Sequence, residues 1–172
     1  MIIKRRSFLK AASCLPLSLS IPSLVHSEIN LGRTKITTVS DGSITLPASL
    51  TFDTMPKNEL DLIINEFSLS KDQLVRECNV TLVETEDRKI LFDVGAGLYF
   101  LDGMGVILDS LDEQGLAPED ITDVIFTHAH PDHIWGVLDD FDDLLFPEAM
   151  YHIGRVEWDY WWNPETVNEV DE

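Results

Sequence analysis

Four side chains that can hold a divalent cation fall within six positions: His128, His130, Asp132 and His133, in the run Val124-Ile-Phe-Thr-His-Ala-His-Pro-Asp-His133. In an extended segment side chains alternate, so His128 and His130 point to the same side, roughly 6–7 Å apart along the chain. One tetrahedral ion, held by imidazole nitrogens at about 2.0–2.1 Å, spans that gap. Asp132 and His133 follow Pro131 and turn away from the first pair, offering a carboxylate and an imidazole to a second, adjacent ion. The plain alternative is a set of loop histidines satisfied by hydrogen bonds. Against it, three of the four histidines after residue 27 crowd here, and protonated imidazoles repel one another. The spacing predicts a metal centre.

The elements that must position this cluster lie on both sides of it. Asp123–Phe126 is short, β-branched and aromatic between polar residues, which predicts a buried strand ending at the histidines. Pro131 suits the first turn of a helix, expected over residues 132–138. Upstream, residues 35–39 read as a strand closed by a turn at Ser40-Asp-Gly42, and residues 46–52 as irregular or extended chain. Lys57–Phe67 carries Leu60, Ile63, Ile64 and Phe67 at helical spacing, and Ser70-Lys-Asp-Gln73 has the form of a capping box opening a second short helix. Residues 79–84 and 89–94 flank a polar loop and predict a hairpin; Asp93 ends it beside Gly95 and Gly97, which permit a tight turn.

Residues 103–114 read as an amphipathic helix stopped by Gly115, and Pro118–Asp120 leads into the metal strand. Past the cluster, the acids Asp139, Asp140, Asp142 and Asp143 read as a solvated helix end. Residues 149–153 read as a strand holding His152 in a structural role. Arg155–Trp162 reads as a helix whose Trp158, Tyr160, Trp161 and Trp162 serve core or interface, with a hydrophobic wall for substrate as the alternative.

The first 27 residues read as an address. Lys4-Arg-Arg-Ser-Phe-Leu-Lys10 precedes an apolar run broken by Pro16 and Pro22, and Val25-His-Ser27 suits a signal peptidase. The paired Arg5-Arg6 has the form of a twin-arginine export signal, which predicts a periplasmic or secreted protein with no stable membrane insertion after cleavage. Export leaves residues 28–172 as the mature domain. The leader holds four basic residues and no acid, so its removal takes the net charge from −19 to about −23. Such a surface repels phosphate backbones and argues against nucleic acid as a partner. Cys78 is then the single cysteine, without an intrachain partner for a disulfide.

His128-Ala-His130-Pro-Asp132-His133 resembles the His-x-His-x-Asp-His signature of the metallo-β-lactamase superfamily. The lead-in Gly115-Leu-Ala-Pro-Glu-Asp-Ile-Thr-Asp-Val-Ile-Phe-Thr resembles the helix-to-strand approach of that fold. Val39-Ser-Asp-Gly-Ser-Ile-Thr-Leu-Pro47 and Ile90-Leu-Phe-Asp93-Val-Gly95-Ala-Gly97 are similar to the branch holding methyl parathion hydrolase and the quorum-quenching lactonases. The resemblance implies an α+β fold, a four-layer αββα sandwich of two similar halves, of which this chain supplies about the first. It implies that Asp93 braces the metal loop without binding metal. The later His, bridging Asp and final His of the family do not appear after His133, where His152 alone follows. A single half would leave part of its sheet uncovered, and Val80, Leu82, Leu91 and Ile125 are expected to lose cover. Trp135-Gly136 stands where the family usually has Gly-Gly, crowding the mouth of the site.

The activity so implied is that of a metal-dependent hydrolase acting on a small-molecule lactone, ester or phosphotriester. His128 and His130 would hold one divalent ion and Asp132 and His133 another, zinc by preference. The pair would lower the pKa of a shared water to about 7, with Asp132 also orienting the resulting hydroxide. Two other readings stay open: a mononuclear-iron enzyme of the same fold that oxidises sulfur compounds, and a non-catalytic, truncated metal-binding half. A half by itself is expected to be inactive.

Overall fold

The computed structural model describes residues 27–169. The export signal read at residues 1–27, with Cys14 and His26, lies outside the described residues but for Ser27. Six strands form one sheet in sequence order: β1 (Glu28–Leu31), β2 (Thr34–Pro47), β3 (Gln73–Glu84), β4 (Lys89–Phe92), β5 (Asp123–Phe126) and β6 (Met150–Ile153). β1 to β4 pair antiparallel. β4 with β5 and β5 with β6 pair parallel, so each needs a crossover. The helices are α1 (Ser49–Phe52), α2 (Lys57–Phe67), α3 (Ile107–Asp112), α4 (Pro131–Ile134) and α5 (Arg155–Trp162). α3 serves the first crossover; the histidine segment and α4 lie in the second.

Strand alternation sorts the sheet into two faces. Val39, Val80, Leu82, Leu91, Val124 and Phe126 share one face and join Ile107 and Leu111 of α3, with Leu116, Ile121 and Phe146, in a single core. Each such side chain stabilises the fold by roughly 1.5–3 kcal/mol. The opposite face carries a row set by register, Ile29, Ile36, Val83 and Ile90, followed by Phe92 and Ile125 in the next row. These are half-buried, and Ile29 is exposed. The expectation that Val80, Leu82 and Leu91 lose cover is therefore wrong. They face α3 and are buried; Ile125, one step out of phase, is the one on the thinly covered face.

Several local expectations also shift. Ser40-Asp-Gly42 does not end a strand: β2 runs on to Pro47 through a bulge between Ser40 and Ser43. Gly42, at φ 103°, allows it, because a Cβ there would fall 2.0 Å from Gly103 O. Residues 49–52 form α1 where irregular chain was expected. No helix follows Ser70. Its hydroxyl accepts the N–H of Asp72 and of Gln73, the bonding of a cap, but β2 takes the following residues as a strand partner. The helix expected over residues 103–114 narrows to α3, and Gly115 adopts φ 73° as its stop. Asp139 accepts the N–H of Phe141 and Asp143, so the acidic run forms a tight turn instead of a helix end. α2 and α5 keep their expected bounds.

Candidate metal centre

β5 ends at Phe126, and the chain leaves the sheet carrying the predicted ligands on the turn before α4 and on α4 itself. Three imidazoles converge there. The His128 ring centroid lies 4.5 Å from that of His130 and 4.0 Å from that of His133. His133 is thus not turned away from the first pair, because α4 is a single turn and Trp135–Val137 continues as a 3-10 turn instead of the helix expected to residue 138. Asp132 Oδ2 stands 3.5 Å from His133 Nε2. The structure brings all four predicted residues together.

One carboxylate organises the imidazoles. Asp93, buried and at φ 71°, accepts the Thr127 N–H at 2.7 Å through Oδ1. Its Oδ2 accepts the Thr127 hydroxyl and meets His133 Nδ1, each at 2.8 Å. A carboxylate at Nδ1 demands the Nδ1–H tautomer, which leaves the His133 Nε2 lone pair free for a cation. The single Thr127 hydroxyl proton is committed to Asp93. His128 Nδ1, 3.0 Å from Thr127 Oγ1, must then be the donor, which frees its Nε2 as well. The backbone secures the arrangement, with Asp93 N–H donating to Ile125 O and Val94 N–H to His133 O. Asp93 braces the loop as the resemblance implied.

Three further groups support the site and were not legible as such. Asp41, wholly buried in the β2 bulge, accepts the N–H of Ala96 at 2.7 Å and of Ile107 at 3.2 Å. Burial pushes its carboxyl above the usual range, opposed by those backbone donors. Cys78 donates its thiol to Asp132 O at 3.4 Å. Burial, followed by the charges of Asp41, Asp132 and Asp93, pushes that thiol up to about 12, so it remains protonated at neutral pH. Glu157 of α5 accepts the Ala129 N–H, between the first two histidines, at 2.7 Å. The sequence signal for Asp41 was the Ser-Asp-Gly run, taken as a turn; Glu157 had none beyond its helix.

His152 is structural: its Nε2 lies 3.1 Å from Asp123 Oδ1. Asp123 also receives Arg88 on both oxygens at 2.8 Å and the Thr122 hydroxyl at 2.7 Å. That hydroxyl, ahead of His152 and Arg88, holds the Asp123 carboxyl below its usual range. Two residues after His133, Trp135 packs edge to face on Phe100 at 5.7 Å. It walls an apolar cavity of about 320 Å³ with Leu98, Tyr99, Ile107, Phe141 and Leu145.

Among the described residues no three His, Cys, Asp or Glu side chains close on one point tightly enough to hold an ion as they stand. The donor chemistry nevertheless fits: free Nε2 atoms on His128 and His133, a neighbouring His130, and a carboxylate within a side chain's swing.

Residues 74–165 match the metallo-beta-lactamase superfamily. The chain belongs to that superfamily. Among solved structures it is similar to AidC, a dizinc quorum-quenching lactonase with a bound product, at 31% identity and a TM-score of 0.73 over 84% of this chain and 54% of that one. It is similar to the hydrolase AbOPH at 26% identity and a TM-score of 0.75 over 85% and 50% of the two chains. A 45-residue stretch is 53% identical to metallo-beta-lactamase domain-containing protein 1 of Mus musculus, covering 26% of this chain and 15% of that protein. The chain spans about half the length of these solved structures, and its single sheet backed by helices matches the superfamily fold.

Proposed function

We propose that this chain carries the metal-binding half-site of a hydrolase acting on a small lactone, ester or phosphotriester. The observation that supports it is the convergence of His128, His130 and His133 beside Asp132, with Asp93 setting the tautomers of two of the imidazoles. His128 and His130 would hold one divalent ion, and Asp132 and His133 a second; zinc suits this mix of imidazole and carboxylate. Bound there, such ions acidify a water and polarise the oxygen that gains charge at the reacting centre. Asp132 orients the attacking water. Asp93 and Thr127 keep Nδ1 of His133 and His128 protonated, so neither ligand loses its Nε2 lone pair. Trp135, Phe100 and the adjoining cavity receive the apolar part of the substrate and exclude water from it. Among the described residues no helix is long and apolar enough to cross a membrane.

The test is elemental analysis of the purified full-length protein joined to a panel of lactones, carboxylic esters and phosphotriesters. Two equivalents of zinc and turnover lost with chelator are expected. One equivalent of iron with oxidation of a sulfur compound, or no bound metal, would overturn the proposal.

A further inference from the structure

Glu157 is the third residue of α5, which follows β6 after Gly154. A glutamate at this position commonly reaches back to cap the first turn of its own helix. Here it reaches out. Its Oε1 accepts the Ala129 N–H at 2.7 Å and the Trp161 Nε1–H, one turn along α5, at 2.8 Å. Ala129 sits in the irregular stretch between β5 and α4, where no strand partner takes its amide. That amide belongs to the His128–Ala129 peptide, so its orientation sets how the chain leaves His128 and, through Ala129, how it enters His130.

Trp161 is itself held, edge to face on Tyr160 with ring centroids 5.2 Å apart. α5 is tied down at its far end, where the Thr166 hydroxyl donates to Tyr160 O. The Glu157 carboxyl is drawn below its usual range, first by the Ala129 amide and then by the Trp161 indole, with the His128 and His130 imidazoles adding smaller effects.

We propose that Glu157 is a positioning residue for the metal ligands His128 and His130, fixing peptide 129 from α5 while Asp93 fixes the other side of the loop. The role rests on the metal reading given above. It assigns the aromatic helix a purpose besides packing: Trp161 orients Glu157, and Glu157 orients the ligand loop. Carboxylates that orient ligands from outside the coordination sphere typically affect metal affinity by 10–100-fold.

The experiment compares wild type with Glu157→Ala, Glu157→Gln and Trp161→Phe in cobalt(II) titrations, followed by the visible absorption of the bound ion, and in amide hydrogen exchange of Ala129 without metal. Glu157→Gln retains an acceptor oxygen and should stay within about threefold of wild type in both. Glu157→Ala should lose about 10-fold or more in cobalt affinity, alter the absorption band and speed Ala129 exchange about 10-fold or more. Trp161→Phe, which keeps Glu157 and most of the packing, should fall between them, and it carries the test if Glu157→Ala does not fold. Cobalt affinity and spectrum unchanged in the variants, with wild type binding normally, would overturn the positioning role alone. A wild-type protein that takes up no cobalt or zinc would overturn the metal reading and this role with it.

Discussion

Gly136 shows how tightly the histidine turn is clamped against the loop after β4. A Cβ there would lie 2.5 Å from Val94 O, with Gly95 O and Gly97 N each at 3.3 Å. All three are backbone atoms, so no side chain can swing aside. The Gly136 N–H also donates to Gly95 O at 3.1 Å. Gly136→Ala must push turn and loop apart, at an overpacking cost of about 1–3 kcal/mol. Loss of the hydrogen bond adds about 0.5–1.5 kcal/mol. The expected loss is about 1.5–4.5 kcal/mol, which for a domain of this size lowers Tm by roughly 3–18 °C.

The displacement has a direction. Val94 N–H donates to His133 O, so moving the loop moves His133. Zinc affinity should therefore fall further than in Leu116→Ala, a variant of the core residue that follows α3. Circular dichroism melting and zinc competition against a chelator measure the two effects. A Tm within about 2 °C of wild type, with zinc affinity intact, would refute the clamp. Trp135→Gly is the contrast: Trp135 is 57% exposed and its removal pushes no backbone apart, so the lost ring contact with Phe100 should cost about 0.5–1.5 kcal/mol beyond the area it buried and leave zinc affinity near wild type.

Asp93→Asn retains a side chain that tolerates positive φ but places an amide against His133 Nδ1. The imidazole must then change tautomer, and zinc affinity should drop about 10–100-fold; nitrogen NMR of the ring showing Nδ1 still protonated would count against this. Asp132→Ala should remove the second ion and leave the first, as elemental analysis would show by one equivalent lost. Asp123→Asn should cost about 1–3 kcal/mol at pH 7 by urea unfolding. Because folding depresses the Asp123 carboxyl, the stability it gives is present above the ordinary carboxylate pKa and is lost as pH falls through the depressed value. The gap between variant and wild type should therefore narrow below about pH 4; a gap as wide at pH 3 as at pH 7 would exclude this linkage. Arg5-Arg6→Lys-Lys should leave the precursor in the cytoplasm, and mature protein appearing normally outside it by fractionation would rule out twin-arginine export.

What could be read ahead of the structure was whatever depends on near neighbours in the chain. α2 and α5 match in their bounds because Pro56 and Gly154 open them and the helical pattern runs to their ends. The ligand cluster was legible because four donors lie within six positions. Ser70 misled for the same local reason: its hydroxyl makes cap-like bonds whether a helix or a strand follows, and β2 decides which. The bulge at Asp41 looked like a turn, since only the pairing of residues 43–47 with 73–77 shows that the strand goes on. Glu157 and Ala129 are 28 residues apart, a separation that no short-range pattern encodes. The faces of β3, β4 and β5 were confused because apolar residues occupy both, and which set is buried depends on where α3 docks.

The way the strands are joined has a consequence for how the site comes into being. β1 to β4 follow one another as antiparallel neighbours, and the Thr85–Arg88 turn that links β3 to β4 closes over a short stretch. β5 cannot pair until the 30 residues between Phe92 and Asp123 have been looped back through α3. Closing that longer loop costs more chain entropy before any contact repays it. The β3–β4 hairpin should therefore assemble first, with Asp93 waiting at its end; β2, separated from β3 by residues 48–72, faces a closure of similar length to that of β5. The histidine loop should arrive last, its ligands gathering only after their anchor is fixed. Pulsed hydrogen exchange during refolding should protect Leu82 and Leu91 before Val124 and Thr127; the reverse order would show that the ligand loop nucleates the sheet.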